Sequence, residues 1–572
     1  NPPPPIPQIT KLTLKNFFEA ILEAYQDLPM MAFVGETPMT YAQFGEQVYR
    51  VQEQLRKLGV KKKDKVALLG PSAPNWTIAF MAIATMGAVV VPVMDEFPEA
   101  DVEYTIGHSD AVAVFISDSH YNSMNLPALD HIGPIFNLTD LSMFKNEPAR
   151  DPHRTGLEKF RASFDKTGPL EIAPEVEEID EDDLAEILYT SGTTGHSKGV
   201  MLTHKNLVSN VMSAPLRVAE LRPGMVILAF LPLAHVFGST GLFLTGSYGG
   251  GEIYFLTKKP SPKVLLSAMQ QVKPTFIASV PLVFEKIYQK QVVPKVSDSK
   301  VLQWLVKIPA TRKLVYYLIG KKVKEALGGR MECIVIGGAA LTHDVEVFLH
   351  EARIPYVIGY GMSECSPYIS AATVHDAKID AVGYPFKDVS LRIDEPDPDS
   401  GIGEIWVQGP NVMKGYYKNE TETRNVLTGD GWLKTGDRGY IDGDGYLFIK
   451  GRSKNVIIGQ SGENIYPEAI ESKLQGLPLV EEALVYELDQ QLVARVYPDY
   501  SFIQRHEKNK EDEVIAADIE AMLEDIRVQI NTQLPSYSKI QKIIEQRTPF
   551  IKTVSNKIRR AEYVPNYGKD KL

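Results

Sequence analysis

Residues 189–199 read YTSGTTGHSKG, with three glycines and five serine or threonine residues in eleven positions. Glycine allows backbone turns that aim several N–H groups at one point, and hydroxyls add donors. Lys198 adds a positive charge. Thr190, Ser191, Gly192, Thr193, Thr194, Gly195 and Lys198 therefore predict a cradle for a polyphosphate. The pattern is not a Walker A loop, since no Gly-Lys-Ser/Thr follows at the required spacing. Ile187 and Leu188 lead straight in, as the end of a buried strand would, which sets the loop apart from a flexible linker.

Further short blocks follow in order: GGAAL at 337–341, YGMSEC at 360–365, GIGE at 401–404, GPNVMKGYY at 409–417, TGD at 435–437, GRSK at 451–454, GENIYP at 462–467 and TVSNK at 553–557. Together with the loop they resemble, over nearly the whole chain, the adenylate-forming superfamily of acyl-CoA synthetases, peptide-synthetase adenylation domains and luciferases.

The resemblance implies an enzyme that activates a carboxylic acid with ATP and Mg²⁺, as an acyl-adenylate, and passes the acyl group to coenzyme A. A carboxylate attacks a triphosphate poorly because both are anionic, so the site must neutralise charge and hold the attacking oxygen in line. By resemblance Lys557 supplies that cation, Glu364 holds the metal, and Thr190 acts with the loop on the phosphates. Asp437 takes the ribose hydroxyls, with Arg452 behind it. Tyr360 stacks on adenine, and Gly338, Ala339, Ala340, Gly361, Met362, Ser363 and Ile449 complete the nucleotide site. His235, Val236 and Phe237, with Gly337 and Gly338, border the acyl pocket. Lys454 is the hinge about which the small domain turns for thioester formation, and Gly459, Gly462 and Glu463 line the coenzyme A tunnel. One departure is Asn556, where the family has glycine; asparagine tolerates the same left-handed backbone.

Three features lean toward an apolar acid. SVPLVFEKIY at 279–288 resembles the long-chain fatty acyl-CoA synthetases, although Leu282 stands where arginine is usual. An insertion of about 35 residues before 326–330 also resembles that branch. The small-residue run 238–251 is expected to leave a long slot or, alternatively, to pack helix on strand closely. Other readings are an aromatic, alicyclic or short-chain synthetase, an acyl-AMP ligase loading a separate carrier protein, and a scaffold without catalysis. The joint presence of Lys557, Glu364 and Asp437 weighs against the last. A carrier domain is not expected after the small domain.

The elements that must hold these residues are those of an α/β protein. Buried strands are expected over 66–69, 88–91, 111–116, 226–230, 275–278 and 333–336, and helices over 17–25, 41–58 and 75–86. This alternation predicts a parallel or mixed sheet flanked by helices. The uncharged stretch 66–94 is long enough to cross a bilayer, but Gly70, Pro71, Pro74, Gly87 and Pro92 divide it into strand, helix and strand. From about residue 383 short strands alternate with turn clusters, predicting a β-rich subdomain. A large domain over 1–450 and a small mobile α+β domain over 451–572 are expected, the latter with helices at 467–474 and 511–534.

The net charge of −11 argues against nucleic acid as a partner. Two cysteines, Cys333 and Cys365, build neither a zinc site nor a disulfide framework and suit a cytoplasmic protein. The proline-rich start is not that of a signal peptide. Residues 290–324 invert the overall charge: nine lysines and arginines face one acid, Asp298. Apolar and aromatic residues are interleaved, and Pro309 splits the segment in two. This predicts peripheral contact with anionic membranes, against the alternative that the apolar side packs on the protein.

Overall fold

The computed structural model describes residues 4–144, 178–190, 197–218, 221–297, 299–459, 463–477, 479–501, 503, 512–553, 557–565 and 567.

A seven-stranded sheet runs in the order Gly415–Tyr416, Lys198–Thr203, Leu184–Thr190, Val89–Val93, Lys65–Leu69, Ala111–Ile116, Ile135–Asn137. Its strands from Leu184–Thr190 onward are parallel. A nine-stranded sheet has a parallel centre of Tyr356–Gly361, Cys333–Ile336, Phe276–Ser279, Val226–Ala229, Glu252–Phe255 and Pro29–Phe33, with antiparallel strands at both edges. The mixed α/β architecture expected from the alternation is therefore present, with strands close to the expected positions.

The uncharged run folds as strand Lys65–Leu69, helix Pro74–Thr85 and strand Val89–Val93. Pro74 opens the helix, where its missing N–H costs nothing. All five residues of Val89–Val93 are buried; each large apolar side chain withdrawn from water there contributes about 1.5–3 kcal/mol. No helix among the described residues is long and apolar enough to cross a membrane.

The helix Tyr41–Lys57 shows how local sequence sets an element. Thr40 and Gln43 form a reciprocal capping box, and Tyr41, Phe44, Val48, Val51 and Leu55 recur at helical spacing on the buried face.

Glu186 is an exception in this interior. It is fully buried in the strand Leu184–Thr190, and neither carboxylate oxygen has a partner among the described residues. Burial pushes its pKa up to about 8. A carboxyl raised this way favours the folded state below its unfolded pKa and loses that advantage as pH rises through the folded value. Glu186→Gln should therefore change stability little near pH 5. By about pH 9 it should be more stable than the parent by roughly 3–5 kcal/mol. Denaturant unfolding of both proteins across that range measures the difference; parallel curves would show that Glu186 does not titrate there.

Beyond the two large sheets lies an antiparallel four-stranded sheet, Ser390–Asp394, Gly403–Gln408, Leu433–Ile441, Leu447–Arg452, matching the expected β-rich segment. The chain then makes a single turn, Ser453–Asn455. Past it, a three-stranded sheet packs with helices Pro467–Gln475 and Asp512–Asn531. The core of this region, including Ile470, Leu474, Val485, Val496, Leu523 and Ile526, shares no residue with the core of the preceding 450 residues.

Candidate active site

Strands Leu184–Thr190 and Lys198–Thr203 pair antiparallel, which places Lys198 directly across from Thr190. Ser191, Gly192, Thr193, Thr194 and Gly195 lie outside the described residues. Gly199 has a packing reason as well as a turn reason: a Cβ there would meet Ile187 at 2.9 Å and the Tyr189 ring at 3.2 Å. The strand pair is held by His108, whose Nδ1 lies 2.7 Å from the Tyr189 hydroxyl. Strand Gly415–Tyr416 pairs with Val200 and Met201 and so carries Tyr416 to the same place. The Lys198 ammonium pairs with Glu422 and lies 5.3 Å from the centre of the Tyr416 ring.

Tyr416 donates from its hydroxyl to Glu364 Oε1 at 2.8 Å. Glu364 sits in the short turn Ser363–Cys365 that follows strand Tyr356–Gly361. Among the described residues no group of three or more His, Cys, Asp and Glu side chains could hold a metal unaided. A single carboxylate is nevertheless a protein contribution with which Mg²⁺ can be held when phosphate oxygens and waters supply the rest. The residues fit that ion, and bound there it would neutralise charge on the phosphates.

Asp437 is buried, and both its oxygens are engaged. Tyr360 donates to Oδ2 at 2.7 Å, and Arg452 Nε lies 2.7 Å from Oδ1. The ion pair follows from strand register, because Asp437 and Arg452 are cross-strand partners. A register shift two residues on lets Gly439 face Ile449, so Ile449 shares the side of Arg452 that simple alternation would deny it. Gly436 turns the chain at φ +71° just before Asp437.

The carboxyl ends of the parallel strands Cys333–Ile336 and Tyr356–Gly361 are the edge where open α/β sheets take ligands. Gly338, Ala339 and Ala340 are exposed there. Gly338 has φ +87°, and a Cβ on it would meet only Val280, at 3.9 Å. Gly337 is tighter, since a Cβ on it would lie 3.3 Å from Gly359 O and 3.5 Å from the Phe237 ring. Gly361 has no room at all, since a Cβ would lie 2.1 Å from Pro367 O. Met362 and Ser363 continue the chain from there to Glu364.

His235 caps the turn Val236–Gly238 by accepting at Nδ1 from Phe237 N, 3.2 Å away, which leaves its proton on Nε2. Burial, then the charge of Lys557, lowers its pKa to about 4, so the ring is neutral at physiological pH.

Lys557 lies on a tight hairpin. Thr553 N donates to Lys557 O at 2.7 Å, and Lys557 N donates to Thr553 Oγ1 at 3.1 Å. Residues 554–556, with the Asn556 departure, lie outside the described residues. Lys557 is an exposed residue, although protein atoms crowd its ammonium group. Burial lowers its pKa first and Arg452 next, while Asp437 and Glu364 oppose them. Lys454, in the turn Ser453–Asn455, has its pKa lowered to about 8 by burial and then by Arg452, Lys557, Arg560 and Lys198. Lys198, Arg452, Lys454 and Lys557 thus form one cationic field beside two carboxylates, an arrangement that suits a polyanion.

Gly459 and Glu463 meet on the small hairpin of Ile457–Ile458 and Asn464–Ile465, where Gly459 N donates to Glu463 O at 2.8 Å. Gly462 lies outside the described residues.

Of the two readings of 238–251, close packing is the one found. The small residues of 238–251 do not open a slot at Gly238, Gly241 or Gly246. A Cβ on these would meet Pro232 O at 2.0 Å, the Phe237 ring at 2.6 Å and Ile227 Cδ1 at 2.5 Å. They allow close packing instead, around a π-helical turn at Ser239–Leu244. Two residues were not foreseen. Tyr416 lay inside a recognised block without a role, and Glu422 carried no signal, since only the folded chain brings it to Lys198.

Fold and site together define a two-part nucleotide-dependent enzyme of adenylate-forming architecture. The chain belongs to the AMP-binding enzyme family, whose profile matches residues 18–417. It is 31% identical over 475 residues to a long-chain-fatty-acid–CoA ligase of Mycobacterium bovis, covering 78% of this chain and 75% of that protein. It is 30% identical over 491 residues to fatty acyl-CoA synthetase A of Dictyostelium discoideum, covering 82% and 73%. Among solved structures it resembles the O-succinylbenzoate coenzyme A synthetase of Bacillus subtilis in complex with ATP and magnesium ion. That match has a TM-score of 0.70 and 23% identity, covering 96% of this chain and 98% of the other.

Proposed function

We propose that this enzyme activates medium- to long-chain unbranched fatty acids. It is an AMP-forming acyl-CoA synthetase that uses ATP, Mg²⁺ and coenzyme A. Lys557 neutralises the approach of the acid carboxylate to the α-phosphate. Thr190 and Lys198, with the loop between them, hold the outer phosphates, and Glu364 holds the metal. Asp437 takes the ribose hydroxyls and Tyr360 lies against the adenine, while His235, Val236, Phe237, Gly337 and Gly338 border the acyl group. The small domain, 451–572, turns about Lys454 to bring Gly459, Gly462 and Glu463 to coenzyme A. The observation that carries the mechanism is the pair of carboxylates, Asp437 held by Arg452 and Tyr360 and Glu364 held by Tyr416, whose charges reach Lys557. The choice of acid is supported by the relatives and by the apolar Phe237 and Val280 beside the glycines at 337 and 338.

Each methylene buried should add about 0.8 kcal/mol, roughly fourfold in kcat/KM, until the pocket is full. Pyrophosphate release measured over a panel from acetate to palmitate should therefore climb and level off. A maximum at acetate, or benzoate above octanoate, would instead assign a short-chain or aromatic acid. Acyl-AMP that accumulates untouched by coenzyme A would assign a carrier-protein acceptor.

For localisation the proposal is a cytoplasmic enzyme in peripheral contact with membranes through residues 290–324.

A further inference from the structure

Helix Lys300–Lys307 buries none of its residues. Val301, Trp304 and the following Ile308 are 65%, 61% and 38% exposed, and their spacing places them on one face with Lys300 and Lys307. The next helix, Pro309–Ala326, buries Val315, Tyr316, Ile319 and Val323 along one side. Its other side is neither buried nor simply polar. Leu314, Tyr317 and Leu318 are 60%, 45% and 57% exposed, and Lys313, Lys321 and Lys322 lie on the same stripe. Of the fifteen large apolar side chains exposed among the described residues, six fall between positions 301 and 318, so the exposure is concentrated. The two stripes join at Ile308 and Pro309, where the Thr311 hydroxyl donates to Leu305 O and lies 3.1 Å from Ile308 O.

The charges sort themselves. Arg312 is committed to Glu351, at 2.7 and 2.9 Å, and Lys324 is half-buried beside Arg353. Lys300, Lys307, Lys313, Lys321 and Lys322 are exposed and make no ion pair among the described residues.

We propose that these two exposed stripes, centred on Trp304 and Leu314, are a docking face for an anionic lipid bilayer. Trp and Tyr favour the level of the headgroups, and lysine reaches out of an apolar surface to keep its ammonium among phosphates. Protein interfaces are depleted in lysine, whereas helices lying in a membrane interface are rich in it. The local positive charge opposes the net −11 of the chain, whose remoter acids are screened beyond about 8 Å at physiological salt. The purpose of the face rests on the fatty-acid reading, because such acids partition into bilayers.

The test uses the full chain without substrates, in sedimentation with phosphatidylcholine vesicles that contain or lack phosphatidylglycerol. The protein should pellet with the anionic vesicles at low salt, be released at high salt, and show a blue shift of Trp304 emission. Lys300→Gln, Lys307→Gln, Lys313→Gln, Lys321→Gln and Lys322→Gln combined should lower binding by about tenfold while leaving octanoate activation intact. A lack of pelleting with anionic vesicles, or binding indifferent to these substitutions, would overturn the proposal. So would a shift in the oligomeric state of the variant, which would assign the face to a second copy. Vesicle binding by a protein that activates no fatty acid would leave the docking face standing and remove the substrate reading instead.

Discussion

Lys557→Ala should reduce acyl-adenylate formation by on the order of 10²–10³ while largely sparing thioester formation from supplied acyl-adenylate. Only the first half-reaction drives a carboxylate against a polyphosphate. Alanine removes the cation among Asp437, Glu364 and Arg452 that meets this charge. Burial and Arg452 hold the Lys557 pKa below the ordinary lysine value. Its proton is therefore lost earlier as pH rises, so kcat/KM for adenylation should fall on the alkaline side sooner than an unperturbed lysine would allow. Exchange of labelled pyrophosphate into ATP reads the first step, and thioester production from synthetic acyl-AMP reads the second. An equal loss in both would remove Lys557 from its proposed role.

Lys454→Pro should give the opposite split. Lys454 lies in the turn that joins two regions with separate apolar cores. Proline suits the φ of a short 3₁₀ turn, so the present arrangement and adenylation should persist. A backbone that must swing elsewhere meets the fixed ring, at a cost of about 2–3 kcal/mol, or roughly 30–150-fold in thioester formation. Unchanged overall turnover in the variant would exclude Lys454 as the hinge.

Much of this site was legible because its chemistry is written in contiguous blocks. The glycine-rich loop announces itself by residue type, and Thr-Gly-Asp places a carboxylate behind a glycine that the structure holds at φ +71°. Helix and strand positions were legible for a related reason: spacing alone buries Tyr41, Phe44, Val48, Val51 and Leu55 on one face. What escaped depends on distance along the chain. The Tyr416 hydroxyl reaches Glu364 across 52 positions, and Lys198 meets Glu422 across 224. No local pattern marks either partner. The glycines of 238–251 left two readings open because a missing side chain looks the same in sequence whether it makes room for a ligand or for close packing within the protein. The carbonyl 2.0 Å from a Cβ on Gly238 decides between them.

The separation of the two cores bears on which positions this enzyme can tolerate changing. The hairpin that carries Lys557 rests on a further small cluster outside both, in which Phe550, Ile558 and Tyr563 pack with Leu484, Tyr486 and Val493. Loss of a methyl group from Leu484 or Val493 is expected to shift that hairpin, and Lys557 with it, while leaving the larger core untouched. Separation along the chain is then a poor guide to tolerance: substitutions inside that small cluster are expected to act through Lys557 in a protein that still folds.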